Sequence, residues 1–124
     1  MSRFASVAEN QTTLPPFVKS DQKATLVENE VEFYVVSVRG PMVSNFPESP
    51  SKMRSVETWY LDIEFVDPVV VESLRLEPKM TLSFTAGYEG RDALIKAARE
   101  DSESGDMVRL KLRGDKKFYS LALA

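Results

Sequence analysis

Asp106-Met-Val-Arg-Leu-Lys-Leu-Arg-Gly-Asp-Lys-Lys-Phe-Tyr-Ser-Leu-Ala-Leu123 alternates apolar and basic residues strictly from Val108 to Arg113. A β-strand repeats every two residues, so Val108, Leu110 and Leu112 fall on one face and Arg109, Lys111 and Arg113 on the other. The pattern predicts a half-buried strand with a cationic outer face. Gly114-Asp115, with Lys116 beside it, supplies a tight turn, and Tyr119, Leu121 and Leu123 resume the alternation, which predicts a terminal hairpin. Between Arg109 and Lys117 five basic residues stand against a single acid, Asp115, whereas the whole chain carries a net charge of -3. The positive charge is therefore local.

With 124 residues, 43% of them hydrophobic, the chain has enough apolar material for one core and too little for two ordinary ones. No apolar run approaches the roughly 18 residues of a membrane span, and the first ten residues lack the apolar centre of a secretory leader. A cytoplasmic protein with no membrane partner is expected. Cysteine and histidine are both absent, which removes disulfides, thiol nucleophiles, thiolate metal sites and the commonest general base. An acidic chain has no global attraction for polyanions, so nucleic-acid binding has to come from a patch.

Residues 1–24 are polar, contain Gln11-Thr12-Thr13 and Pro15-Pro16, and follow neither period. They predict a flexible N-terminal arm, pinned at most by Phe4, Phe17 and Val18, ahead of a domain spanning 25–124. Val31 to Arg39 is rich in β-branched and aromatic residues and apolar on both faces, as a long curved strand requires. The stretch 41–55 holds Pro41, Pro47 and Pro50 with four serines and predicts a long loop. Thr58 to Val66 alternates Trp59, Leu61, Ile63 and Phe65 against Tyr60, Asp62 and Glu64, which places Trp59 in the core and Tyr60 in solvent.

Asp67-Pro68 has the form of a helix start, but Val69-Val70-Val71 prefers extended structure, so an irregular connection is expected over 67–78. Met80 to Ala86 alternates as a third strand. Arg91 to Glu100 carries Leu94, Ile95, Ala97 and Ala98 as an apolar stripe and predicts one short helix, followed by an acidic turn over 101–105. The succession is three strands, a helix and two strands: an all-β fold with one short helix, matching a five-stranded OB-fold barrel. An SH3-like barrel uses similar strands without the helix.

OB-folds bind single strands with cations that track phosphates and exposed rings that stack bases, using the loop between the first two strands, the faces of the second and third, and the loop between the last two. Those places hold Phe46, Lys52 and Arg54, then Tyr60, then Lys116 and Lys117, with Arg109, Lys111 and Arg113 extending the basic surface. Alternating Arg and Lys also serve simply to solvate a strand and discourage edge pairing, and Asp62 and Glu64 share the face of Tyr60, where they repel phosphate. Catalysis has thinner support. Asp62 and Glu64 share one face, and Glu77-Pro78-Lys79 resembles the end of a metal-dependent nuclease motif, but Pro78 disfavours the strand that motif needs. Gly87-Tyr88-Glu89-Gly90 lacks the Lys-Ser/Thr of a phosphate-binding loop. No cofactor is expected. A protein-interaction module on the same small barrel is the alternative function.

Thr81-Leu-Ser-Phe-Thr-Ala-Gly-Tyr-Glu-Gly-Arg-Asp-Ala-Leu94, then Gly105-Asp-Met-Val-Arg-Leu-Lys-Leu-Arg113 and Lys117-Phe-Tyr-Ser-Leu121, resemble the small OB-fold single-stranded DNA-binding proteins of bacteriophages and mobile elements. The resemblance implies a non-catalytic protein that coats single-stranded DNA in replication or recombination. Its implied partners are the DNA strand, further copies of the chain in a homo-oligomer, and replication or recombination proteins. Many such proteins end in an acidic recruiting tail, whereas this sequence ends in Leu-Ala-Leu-Ala on its last strand.

Overall fold

Glu32–Ser49 forms β1, the strand from which the rest of the sheet is built. The computed structural model describes residues 15–49, 52–115 and 118–124. β1 pairs antiparallel along its length with β2, Lys52–Phe65, from Phe33↔Phe65 out to Ser49↔Lys52. On its other edge, Glu32 to Tyr34 pair with Lys111 to Arg109 of β4, Arg109–Asp115. β3, Lys79–Thr85, adds to β2, and β5, Phe118–Leu123, adds to β4. The result is a five-stranded antiparallel sheet in the order β3-β2-β1-β4-β5. The sheet is open, with β3 and β5 as its edges.

β1 serves neighbours on both sides because bulges bend it. Between Val35 and Ser37 the register slips, so Val36 turns out while Val35 stays in the core, an extra residue that increases local twist. A second slip between Arg39 and Met42 centres on Gly40. Its φ is +109°, and a Cβ there would stand 2.7 Å from the Thr58 carbonyl oxygen, so only glycine fits.

The alternation in the sequence becomes burial. Phe33 and Val35 of β1, Trp59, Leu61, Ile63 and Phe65 of β2, Met80, Leu82 and Phe84 of β3, Leu112 and Leu121 make one core. Among the described residues, three helices close over it. α1, Ser20–Glu28, inserts Leu26; α2, Pro68–Ser73, inserts Val71; α3, Glu89–Ser104, inserts Ile95 and Ala98. The Trp59 indole N–H donates to Asp92 Oδ1 at 3.1 Å, so the largest core ring is also tied to the first turn of α3. Among the described residues no helix is long and apolar enough to cross a membrane.

Four expectations are corrected. The loop expected over 41–55 is largely strand, since β1 continues to Ser49 and β2 begins at Lys52. Beyond Val43↔Glu57, whose Glu57 carbonyl still accepts from Ala86 N–H, the two strands pair only with each other among the described residues; a two-stranded ribbon has free edges, where proline does not interrupt a ladder. The flexible arm expected over 1–24 contains structure from residue 15. Val18 N–H donates to the Thr81 carbonyl and Thr81 N–H to the Pro16 carbonyl, a short parallel bridge on the free edge of β3, and α1 follows. The connection over 67–78 contains α2, capped by Asp67 Oδ1, which accepts from Val69 N–H at 2.9 Å. The helix expected over 91–100 runs six residues short of both true ends taken together, because the acidic turn is helical as far as Ser104 and Gly105 ends it at φ +83°.

Candidate nucleic-acid interface

The strand pairings set the outer face of the sheet in rows. Ser83, Tyr60 and Arg39 lie side by side, as do Thr81, Asp62 and Ser37, and then Lys79, Glu64, Tyr34 and Arg109. Tyr60 sits near the centre. The Arg39 guanidinium stands 5.7 Å from its ring centroid, and Phe17, 58% exposed, packs against it at 5.8 Å with the rings tilted by 57°. Phe17 reaches this position because the bridge to Thr81 lays residues 16–18 along β3. The face therefore offers two rings and a cation.

Asp62 and Glu64 are the two carboxylates that oppose phosphate at this face, and the structure occupies the first of them. Its carboxylate accepts from Ser37 Oγ at 2.6 Å, Thr81 Oγ1 at 2.9 Å and Arg39 Nη2 at 3.0 Å. Burial pushes its pKa up, but the hydrogen bonds from Ser37 and Thr81 and the charge of Arg39 outweigh burial and hold it below the usual aspartate value. Because folding lowers this pKa, the stabilisation is complete above the ordinary value of about 4 and is lost as pH falls through the depressed one. Asp62→Asn is expected to lower stability at pH 7 by on the order of 1 kcal/mol, after discount for partial exposure. Urea unfolding of both proteins should show that gap narrowing below about pH 4.

The expected site residues do not form one patch. Arg109 Nε approaches the Tyr34 hydroxyl at 3.3 Å, and Lys111 Nζ pairs with Glu30 Oε1 at 3.1 Å, so both lie beside β1 near the start of the strand. Arg113 lies apart, in a cleft with Tyr88, Arg91 and Phe118. Phe46, Lys52 and Arg54 fall in the outer part of the β1–β2 hairpin, where Phe46 pairs with Arg54 and Ser49 with Lys52; their side chains lie outside what the structure describes. Lys116 and Lys117 lie outside the described residues.

The seam between β3 and β5 carries a second arrangement that the sequence did not signal. Instead of a backbone ladder, Arg91 of α3 spans the gap, with Nη1 donating to the Tyr119 carbonyl at 2.9 Å and Nη2 to the Thr85 carbonyl. Lys23 of α1 donates to the Ser83 carbonyl at 3.0 Å. The Arg91 guanidinium is packed among Phe84, Tyr88 and Phe118, with centroids at 5.1, 4.7 and 4.5 Å. Burial, and then the neighbouring Arg91 charge, hold the Lys23 ammonium below its ordinary value. Residues missed by sequence reasoning are thus Phe17, Arg39, Lys23, Tyr88, Arg91 and Phe118. Phe17 and Arg39 had a signal, Phe17 as a candidate pin for the arm and Arg39 by its place at the end of the first strand. The others come together only through tertiary packing.

Comparison of the chain with protein families, with curated proteins and with solved structures finds no match, so geometry and chemistry carry the functional argument.

Proposed function

We propose that this chain is an OB-fold module that binds single-stranded DNA with little sequence preference and without catalysis, in replication or recombination. The strand order, with a long bent β1 shared by β2 and β4 and a helix between β3 and β4, agrees with that fold opened at its β3–β5 seam. The observation that carries the function is the cluster of Tyr60, Phe17 and Arg39 on the outer face of β2 and its neighbours. Rings held at a surface beside a cation suit unstacked bases joined by phosphates, and every base has a face to stack, whatever the sequence. Of the two opposing carboxylates, Asp62 is compensated by Arg39 and two hydroxyls, while Glu64 stands farther along the face, in the row of Lys79 and Arg109. The same saturation leaves the Asp62 carboxylate poorly placed to hold a metal for nuclease chemistry.

Phosphate contacts are read by salt. The affinity of the full chain for oligo-dT, measured by anisotropy from 50 to 300 mM salt, is expected to fall linearly on a log–log plot. The Arg39→Ala, Arg109→Ala double variant should flatten that slope by about 1.4, or about 0.7 for each phosphate contact removed on a single strand. An unchanged slope in the double variant would remove these two cations from the interface. A specific protein partner, together with no affinity for oligo-dT at low salt, would favour an interaction module instead.

A further inference from the structure

The β3–β5 seam holds more exposed ring surface than a structural clasp needs. Tyr88 and Phe118 meet edge to face at 5.0 Å and remain 51% and 40% exposed while they cover Arg91, itself 8% exposed. Two clefts that share this ring pair each hold a further cation. Arg113 lines an open cleft of about 600 Å³ with Tyr88, Gly90 and Phe118. Lys23 lines a second cleft with Thr85, Tyr88 and Phe118.

Neither Lys23 nor Arg91 has a carboxylate ion-pair partner among the described residues. Asp92 lies close to Arg91, but its two oxygens accept from Trp59 Nε1 and Gly87 N–H. The Arg91 Nε is buried and has no hydrogen-bond partner. Lys23 and Arg91 stand side by side and repel each other, Asp92 offsets part of the Arg91 charge, and a further anion at the seam relieves what is left of that cost. Glu89 at the cleft opposes this, but it also stands in the first turn of α3, whose backbone N–H groups favour negative charge.

The seam is also continuous with the outer face. A groove lined by Val56, Thr58, Ser83 and Thr85 leads from the β2–β3 surface to Lys23 and Tyr88, and Ser83 is the β3 neighbour of Tyr60. We propose that a single strand leaving Tyr60 follows this groove across the edge of β3 and places one further base against the Tyr88–Phe118 pair, with its flanking phosphates at Lys23 and Arg113. The inference rests on the single-strand reading above and adds to it a second stacking station at the seam. It makes the opening between β3 and β5 part of the binding path.

Photo-cross-linking of the full chain to 5-iodouracil-substituted oligo-dT, with adducts mapped by mass spectrometry, tests the path directly. Adducts on Tyr88 or Phe118 as well as on Tyr60 or Phe17 are expected. Anisotropy should show Tyr88→Leu weakening oligo-dT binding about 5-fold or more, and Arg113→Ala flattening the salt slope by about 0.7. Arg113 is exposed on β4, so its variant remains informative if Tyr88→Leu does not fold. Adducts confined to Tyr60 and Phe17, with an unchanged salt slope in Arg113→Ala, would overturn the seam path and leave the proposed function standing. Absence of oligo-dT binding by the wild-type chain would overturn both.

Discussion

Tyr60→Ala is expected to weaken oligo-dT binding by about 5- to 150-fold, the equivalent of the roughly 1–3 kcal/mol that one base–aromatic stack contributes. The ring is placed for that role by β2 itself: Trp59 and Leu61 on either side of it are buried, so the pleat turns Tyr60 to the opposite, outer face. Its contacts there include Phe17 and the Arg39 guanidinium, and its side chain lies on the face away from the Trp59–Leu61 core, so its removal should leave the core packed and the chain folded in a thermal melt. The salt slope should also stay close to that of the wild type, because a stacked ring neutralises no phosphate. This separates Tyr60 from the cations, whose loss changes the slope. Anisotropy at two salt concentrations, beside a thermal melt, checks all three points, and wild-type affinity in a folded Tyr60→Ala chain would contradict the assigned face.

Arg91→Leu is expected to cost about 2–4 kcal/mol of stability. The variant leaves the Thr85 and Tyr119 carbonyls without the donor that now bridges β3 to β5, and it reshapes the space among Phe84, Tyr88 and Phe118. Thr85 is exposed and Tyr119 half-buried, so each carbonyl stripped of its donor costs only about 1 kcal/mol, the low end for a lost hydrogen bond, and the poorer fit of the rings adds to it. One effect runs the other way, since removal of Arg91 ends its repulsion of Lys23. That repulsion lies at a partly hydrated seam and is the smaller effect. Urea unfolding measures the balance, and a variant as stable as the wild type would mean that Arg91 does not hold the two edges together.

How much of this the sequence disclosed depends on the range of the interactions. Strands with strict alternation were legible, because the Leu110–Leu112 and Trp59–Leu61–Ile63–Phe65 patterns need only the period of the backbone. Asp67-Pro68 carried a true helix start, but three valines outweighed it; Val71 in the core and the Asp67 cap decide the matter in the fold. α1 was hidden because only Leu26 of its residues is fully buried, and its inward-facing Lys23 reads as polar. Tyr60 was found from parity alone. Its partners were not, since Phe17 arrives by a parallel bridge to β3 and Arg39 by a bulge that shifts the register of β1. The seam was least visible of all, because Lys23, Arg91 and Phe118 are far apart in sequence and meet only where two sheet edges approach.

The most direct measurement is a pair of anisotropy titrations of the full chain, one with labelled oligo-dT and one with a matched duplex, at low and at moderate salt. Saturable binding of the single strand, at least about 10-fold tighter than that of the duplex at both salts, is the predicted result, because a duplex keeps its bases stacked on each other and out of reach of Tyr60. Equal affinity for the two, or none for either at low salt, would contradict the account.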